Sequence, residues 1–121
     1  YLPLIAQVEP INQVVGIARE YFGRIPMAVA SGGTRQVIEQ VLRHLGIRDL
    51  FAAVVTSEDV ECQKPAPDIF LEAARRLGIE PRHCQAYEDT DLGLQAIKAA
   101  GMRAVDVRIL HIGQAGTRVC G

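Results

Sequence analysis

The chain has 121 residues and 49% hydrophobic content, which is enough for one modest core in a single domain. Its formal net charge of −1 excludes the electrostatic footprint of nucleic-acid binding and gives no attraction to an anionic membrane surface. No apolar run approaches the ~20 residues of a membrane span, and no signal-peptide pattern is present. The cysteines are odd in number and are spaced for neither a zinc site nor a disulfide framework, which favours a cytoplasmic setting.

Hydrophobic periodicity divides the first half of the chain into two helices and two strands. The predicted elements are a helix from Ile11 to Phe22, a strand over 26–30, a helix over 37–45, a strand over 52–56 and a polar loop over 57–64. A glycine follows each of the two helices, which is typical of helix termination.

The second half of the chain repeats this alternation. The predicted elements are a helix from Pro67 or Asp68 to Leu77, a strand over 84–87, a helix that ends before Gly101 and a strand over 102–107. Helices that alternate with short apolar strands form βα units, so the fold class is predicted as α/β, a three-layer Rossmann-like parallel sheet. The predicted divisions are an N-terminal remnant over 1–9, a partial core domain over 10–110 and a C-terminal tail over 111–121.

Polar residues follow three of the predicted strands. Right-handed crossovers place the carboxyl ends of parallel strands at one edge of the sheet, so these residues are expected to lie together. They are the hydroxyl and glycine amides of 31–34, the ammonium group of Lys64 and the carboxylates of 88–91. Amides at a helix start and a lysine bind anions, and Mg²⁺ takes one or two carboxylates with phosphate oxygens. The combination predicts a phosphoryl group held beside a divalent cation.

The acidic stretch Glu88-Asp89-Thr90-Asp91 has two interpretations when it is taken alone. Three carboxylates in four residues repel one another unless a cation lies among them. The alternative is a solvated acidic turn in which Asp91 caps the following helix. The other polar groups expected at the same edge favour the metal site. A second acidic cluster is interpreted as a solvated loop near the site, and it consists of Glu58, Asp59 and Glu61.

Three segments resemble sequence motifs of the haloacid dehalogenase superfamily. They resemble motifs two, three and four of that superfamily and are Ala30-Ser31-Gly32-Gly33, Gln63-Lys64-Pro65-Ala66-Pro67-Asp68-Ile69-Phe70 and Glu88-Asp89-Thr90-Asp91-Leu92-Gly93. The resemblance runs from Pro10 to Leu110 and is closest to the β-phosphoglucomutase-like sugar-phosphate phosphatases, including the fructose-1-phosphatase type. Either of the last two segments alone would be a weak signal, but the pair is specific.

The resemblance implies a phosphatase that acts through an aspartyl-phosphate intermediate. It implies that Ser31 hydrogen-bonds the phosphoryl group with help from the Gly32 backbone, and that Lys64 offsets the charge of the nucleophile and the phosphoryl oxygens. It also implies that Glu88 and Asp89 hold Mg²⁺, directly or through water. The implied substrate is a small phosphorylated molecule of the sugar-phosphate class.

One motif of the family is absent from the sequence. The family's first motif, Asp-x-Asp-x-Thr, supplies the nucleophile and the general acid/base from the central strand, but residues 1–25 contain no aspartate. We therefore expect an incomplete core that lacks this strand and the substrate-selecting cap, and a truncated chain that is inactive alone. Since the family's metal is shared with the absent motif, we expect the affinity of this chain for Mg²⁺ to be weak or absent. A vacant central position leaves two unpaired strand edges. A missing N-terminal segment, residues 1–9 or a second copy of the chain in a homo-oligomer would complete the sheet.

Three other interpretations compete with a truncated hydrolase. The chain could be a non-catalytic remnant that binds metal, phosphate or a partner, or it could be part of a phosphosugar mutase of the same family. A receiver domain has a similar length, a Lys-Pro pair and an acidic pocket. In receivers, however, the acidic pair precedes the Lys-Pro pair, which is the reverse of the order in this chain. The presence of Ser31, Lys64, Glu88 and Asp89 favours the hydrolase.

Overall fold

The computed structural model describes residues 4–6 and 12–108, so the predicted tail over 111–121 lies outside the described residues. The strands are β1 (Leu4–Ala6), β2 (Met27–Ala30), β3 (Ala53–Val55), β4 (Gln85–Glu88) and β5 (Arg103–Asp106). The α-helices are α1 (Asn12–Tyr21), α2 (Arg35–His44), α3 (Asp68–Leu77) and α4 (Asp91–Ala99). Among these helices, none has the length and apolar character that a bilayer crossing requires.

The strands form one parallel sheet in the order β3-β2-β1-β4-β5. Apolar side chains cover both of its faces. Residues of α3 and α4, such as Phe70 and Ile97, belong to the core on one face, and residues of α1 and α2, such as Ala18 and Leu42, belong to the core on the other. All of β2 is buried, as expected for an inner strand of a parallel sheet. The predicted three-layer α/β class is therefore confirmed.

The expected gap at the centre of the sheet is occupied. β1 lies between β2 and β4 and pairs with both, with Ile5 opposite Ala28 on one side and opposite Ala86 on the other. Residues 4–6 therefore supply the central strand, which corrects the expectation of a missing strand and agrees with one of the three expected ways of completing the sheet. An empty position would leave the inner edges of β2 and β4 without backbone partners in the middle of the sheet. The central position of the sheet is therefore filled, but β1 reads Leu-Ile-Ala and carries no carboxylate.

The helix α3 has the bounds that the sequence predicts. Pro67 precedes its first residue, and Gly78 ends it in the left-handed conformation with φ of 72°. The Gly78 amide donates to the Arg75 carbonyl at 3.1 Å, which satisfies one of the last helical carbonyls. The buried face of α3 packs against β2 and β3 and so determines where the preceding loop meets the edge of the sheet.

The edge strand β3 is covered by two arginines that reach it from opposite layers. Arg35 of α2 and Arg76 of α3 both donate to the Val54 carbonyl, at 3.0 and 3.2 Å. Both also pair with the Asp59 carboxylate, at 2.6 and 3.3 Å, and this carboxylate accepts from the Thr56 amide at 2.8 Å. Guanidinium groups on an outer carbonyl oppose pairing with another strand. The solvated-loop interpretation is wrong for Asp59, because its partners come from distant helices that local sequence does not reveal.

Asp59→Asn is expected to lower the free energy of unfolding at neutral pH by about 2 kcal/mol, because the guanidinium groups of Arg35 and Arg76 lose the carboxylate that they share. Burial by itself raises the pKa of Asp59. The Thr56 amide and the two arginines lower this pKa by more than burial raises it, so it lies below its ordinary value. A lowered pKa in the folded state stabilises the fold above the unfolded-state pKa, and this contribution is lost as pH falls through the folded-state pKa. Urea unfolding at pH 7 and pH 3 should therefore show a stability difference that shrinks at the lower pH.

Glu61→Gln is the matched control for this prediction. Glu61 is an exposed carboxylate in the same loop, so its replacement should change the free energy of unfolding by less than about 0.5 kcal/mol at either pH. Equal losses in the two variants, or a loss in Asp59→Asn that does not depend on pH, would contradict the role given to Asp59.

Candidate active site

Three segments bring polar side chains to the carboxyl edge of the sheet. Ser31 directly follows β2, Glu88 is the last residue of β4, and Lys64 lies in the segment between β3 and α3. Since β1 separates β2 from β4, the ends of these two strands are two strand spacings apart, or about 10 Å. The edge therefore has a hydroxyl on one side of β1 and a carboxylate on the other.

Lys64 and Glu88 form a buried ion pair. The Lys64 Nζ lies 2.8 Å from Glu88 Oε2, and the two side chains are 15% and 0% exposed. The second oxygen of the same carboxylate, Glu88 Oε1, accepts from the Asp89 amide at 2.9 Å. Burial raises the pKa of Glu88 above its ordinary value, against the opposing effect of the Lys64 ammonium group. The structure therefore brings together two of the predicted site residues that are 24 positions apart in sequence.

The loop and helix that follow Lys64 hold its side chain. The Lys64–Pro65 peptide bond is cis, and Pro67 occupies the position just before α3. The ammonium group lies 5.7 Å from the centre of the Phe70 ring, which is fully buried in the first turn of α3. A cation is attracted to the face of an aromatic ring, and more strongly where water is excluded. This motif therefore supplies both the charge and an aromatic ring that contacts it.

Gly93 makes room for the Glu88 carboxyl group. A Cβ at position 93 would overlap the Glu88 side chain, so a larger residue there would displace it. The Thr90 hydroxyl accepts a hydrogen bond from the Gly93 amide at 3.0 Å and caps α4. The spacing Glu-Asp-Thr-x-x-Gly is thus explained by a helix cap and by a close approach of side chain to backbone.

Asp91 does not cap α4, which corrects one of its two interpretations. Thr90 is the N-cap, because its hydroxyl reaches the amide that the cap must satisfy. The Asp91 side chain is 80% exposed and pairs with Arg108 at 2.8 Å, and Arg108 also pairs with Asp106 at 3.0 Å. Arg108 belongs to none of the sequence motifs. Its position just after the last predicted strand, and so near the carboxyl edge, was the available signal.

The carboxyl groups of Glu88 and Asp89, the predicted Mg²⁺ ligands, have different surroundings. Asp89 Oδ1 is buried and has no hydrogen-bond partner among the described residues, which is costly unless a cation or water satisfies it. Glu88 already pairs with Lys64. Within 4–6 and 12–108, no three His, Cys, Asp or Glu side chains converge as a metal centre. The residues fit Mg²⁺ as two carboxylates, a number that this cation takes together with phosphate oxygens and water.

Ser31 and Gly32 lie in the loop from β2 to α2. Ser31 is 5% exposed, its amide donates to the Val55 carbonyl at 2.9 Å, and its hydroxyl accepts from the Gly33 amide at 3.4 Å. Gly32 is exposed, and a Cβ there would meet no atom within 4 Å. A Cβ at Gly33, in contrast, would lie 2.9 Å from the Ile38 side chain. The loop is therefore tight at Gly33 and open at Gly32, whose backbone a ligand can approach.

The chain is similar to known enzymes of one family over most of its length. A family model described as a haloacid dehalogenase-like hydrolase matches residues 5–101. The chain is 48% identical over 107 residues to the fructose-1-phosphate phosphatase YqaB of Escherichia coli (strain K12), a match that covers 88% of this chain and 56% of that protein. It is 39% identical over 111 residues to a beta-phosphoglucomutase of Bacillus subtilis (strain 168), with 88% of this chain and 48% of that protein covered.

The structural comparison agrees with the sequence comparison. The crystal structure of a beta-phosphoglucomutase from Clostridium difficile matches with a TM-score of 0.70 at 30% identity, covering 77% of this chain and 41% of that one. The chain thus spans about half the length of the curated relatives that it matches.

Proposed function

The chain belongs to the haloacid dehalogenase-like hydrolases, and we propose that it forms the phosphoryl- and cation-binding part of a sugar-phosphate phosphatase. The observation that carries this proposal is the buried Lys64–Glu88 pair, at 2.8 Å, next in sequence to an Asp89 oxygen that no described group satisfies. An ammonium group and two carboxylates at the carboxyl edge of a parallel sheet suit a phosphoryl oxygen and a cation bound side by side. Similarity to a fructose-1-phosphate phosphatase supports the sugar-phosphate class of substrate.

Ser31 and Gly32 are proposed to bind phosphoryl oxygens from the β2 side of the edge. The Ser31 hydroxyl accepts from the Gly33 amide, so its own proton can be donated to a phosphoryl oxygen. The open position of Gly32 supports an approach of its amide to the same group. Lys64 supplies positive charge from the β4 side, where it offsets the negative charge of the phosphoryl oxygens.

Glu88 and Asp89 are the residues that would hold Mg²⁺. The unpartnered Asp89 Oδ1 supports this assignment, and the Arg108 guanidinium engages Asp91, which leaves the role to the other two carboxylates. When bound, the ion would neutralise charge on the phosphoryl oxygens during transfer. Lys64 orients the buried Glu88 carboxyl group through its 2.8 Å contact with Oε2.

The reaction proposed for the complete site is attack by an aspartate carboxylate on phosphorus, followed by hydrolysis of the aspartyl phosphate by water. The aspartate that the family places on the central strand is not in this chain, since β1 reads Leu-Ile-Ala and residues 1–25 contain no aspartate. Asp59 and Asp91 are held by arginines. We therefore expect the chain alone to bind phosphate without turning over a substrate.

A phosphosugar mutase is the second candidate, and the similarity to beta-phosphoglucomutases in sequence and structure favours it. Both reactions share the aspartyl-phosphate step, and they differ in whether water or a sugar hydroxyl takes the phosphoryl group. In a chain extended by a segment with the aspartate motif, release of inorganic phosphate from a sugar phosphate would support the phosphatase. Conversion to an isomeric sugar phosphate without that release would support the mutase.

The purified chain is expected to release no phosphate from a sugar 1-phosphate in the presence of Mg²⁺, yet to bind inorganic phosphate at 31–33. In a titration followed by amide NMR, the signals of Ser31 and Gly32 should shift to saturation in the wild type and much less in Lys64→Ala, because the positive charge is lost. Lys98→Ala, at an exposed position near the other end of α4, should behave as the wild type.

Two outcomes of this experiment would count against the proposal. Hydrolysis that requires Mg²⁺ and disappears in Lys64→Ala would contradict the expected inactivity of the chain. A titration in which the signals of 31–33 do not move would contradict the phosphoryl site and would favour a remnant that binds a partner.

A further inference from the structure

The carbonyl group of Gly33 is held by two hydrogen bonds from one residue. Ser57, in the short 3₁₀ turn Ser57–Asp59 after β3, donates from its hydroxyl at 3.0 Å and from its amide at 3.2 Å. A peptide group is planar, so the orientation of the Gly33 carbonyl also determines that of the Thr34 amide. Ser57 therefore sets the backbone conformation at the point where the β2–α2 loop enters α2.

Further contacts fasten the same loop on either side of this point. On the β2 side, the Ser31 amide extends the sheet ladder to the Val55 carbonyl at 2.9 Å. On the α2 side, the Arg35 amide donates to Glu58 Oε1 at 3.1 Å, and Thr34 makes no side-chain cap bond of its own. The exposed Gly32 lies between the fastened positions.

The turn that carries Ser57 is itself fixed. Its N-cap Thr56 accepts from the Glu58 amide at 3.3 Å, while the Asp59 carboxylate accepts from the Thr56 amide at 2.8 Å, so the two ends of the turn are reciprocally bonded. The Arg35 side chain joins this turn to α2 through its 2.6 Å contact with Asp59. A rigid turn can hold the loop in one conformation before any ligand arrives, which lowers the entropy lost on binding.

From these contacts we infer that Ser57 is a positioning residue, which holds the Ser31–Gly33 loop in the conformation that binds a phosphoryl group. The inference rests on the proposed function of that loop. Ser57 acts through Gly33 rather than on the ligand, and its hydroxyl contributes one of the two bonds to the Gly33 carbonyl. In the sequence, Ser57 is only the first residue of the predicted polar loop over 57–64, and no motif includes it.

Ser57→Ala in the full 121-residue chain tests this inference, with inorganic phosphate as the probe. Phosphate binding followed by amide NMR should weaken about threefold to tenfold, which corresponds to the loss of one neutral hydrogen bond. Ser57→Thr keeps the hydroxyl and should restore binding to within about twofold of the wild type. Gln63→Ala is the control, because Gln63 donates to the Ser57 carbonyl at 3.2 Å and so supports the same turn at a different atom from the Ser57 hydroxyl that bonds Gly33. Its phosphate affinity should stay close to that of the wild type.

Wild-type affinity in Ser57→Ala, or an equal loss in Gln63→Ala, would overturn the inference. If the wild type shows no saturable shift at 31–33, the proposed phosphoryl site fails, and the positioning role is then tested without a ligand. Hydrogen exchange of the Ser31 amide should be faster in Ser57→Ala than in Ser57→Thr if Ser57 holds the loop. Equal exchange in the two variants would overturn the positioning role as well.

Discussion

Lys64→Met is expected to lower the free energy of unfolding by about 3 kcal/mol, because it leaves the buried Glu88 carboxylate without its cation. The Glu88 side chain is 0% exposed, so water cannot replace the ammonium group without entering the core. The estimate lies at the lower end of the usual range for a broken buried pair, since Lys64 is 15% exposed. The loss is a large fraction of the stability of a domain of this size. Urea unfolding at neutral pH measures it.

Two further variants separate charge from packing. In Lys64→Met combined with Glu88→Gln, neither member of the pair carries a charge, and the shape that fits against Gly93 is kept. This double variant should regain at least half of the lost stability, because the uncompensated charge is the main cost. Lys98→Met removes an exposed lysine and should change the free energy of unfolding by less than about 0.5 kcal/mol. A double variant no more stable than Lys64→Met would contradict this account of the pair.

Gly93→Ala is expected to destabilise the chain by about 3 kcal/mol, at the upper end of the usual effect of overpacking. The new methyl group would overlap the Glu88 carboxyl group, which cannot move without losing its 2.8 Å contact with Lys64. Helix propensity alone predicts the opposite sign, since alanine is favoured over glycine inside a helix by about 1 kcal/mol. The sign of the change therefore distinguishes the steric effect from the propensity effect.

Gly16→Ala provides the matched comparison for Gly93→Ala. Gly16 lies inside α1, and a Cβ there would meet no atom within 4 Å, so this substitution should stabilise the chain by about 0.5–1 kcal/mol. In a Glu88→Ala background the overlap at position 93 disappears, and Gly93→Ala should then cost little. Thermal and urea unfolding of the single and double variants give the coupling between the two positions. Stabilisation by Gly93→Ala in the wild-type background would contradict the close packing of Glu88 on α4.

The helices, and the strands other than β1, could be predicted because their apolar residues recur with the period of the buried face. Residues 1–9 were one of three candidates for the central position, and the sequence could not decide among them. The strand β1 is three residues long, and so short an apolar run does not differ in pattern from a loop. Its place became clear only when β2 and β4 were found to pair with it on either side.

The candidate site was predictable in its residues but not in its contacts. Parallel topology sends every strand end to one edge, so Ser31, Lys64 and Glu88 could be placed there from their positions in the chain. Nothing in the spacing indicates that Lys64 lies against Glu88, or that Thr90 rather than Asp91 caps α4. Such choices depend on which oxygen lies within hydrogen-bond distance of which donor.

The sequence by itself determined the α/β class, the polar residues that follow the strands and the absence of an aspartate before residue 49. Periodicity, turn residues and composition are local properties of the sequence. They are enough to place these residues at one edge, because all the strands of a parallel sheet end there. Only the tertiary structure decided which groups are paired: Lys64 with Glu88, the arginines of α2 and α3 with Asp59, and Ser57 with Gly33. These contacts join residues 17 to 24 positions apart. They arise from the packing of helices and loops on a sheet and not from the order of neighbouring residues.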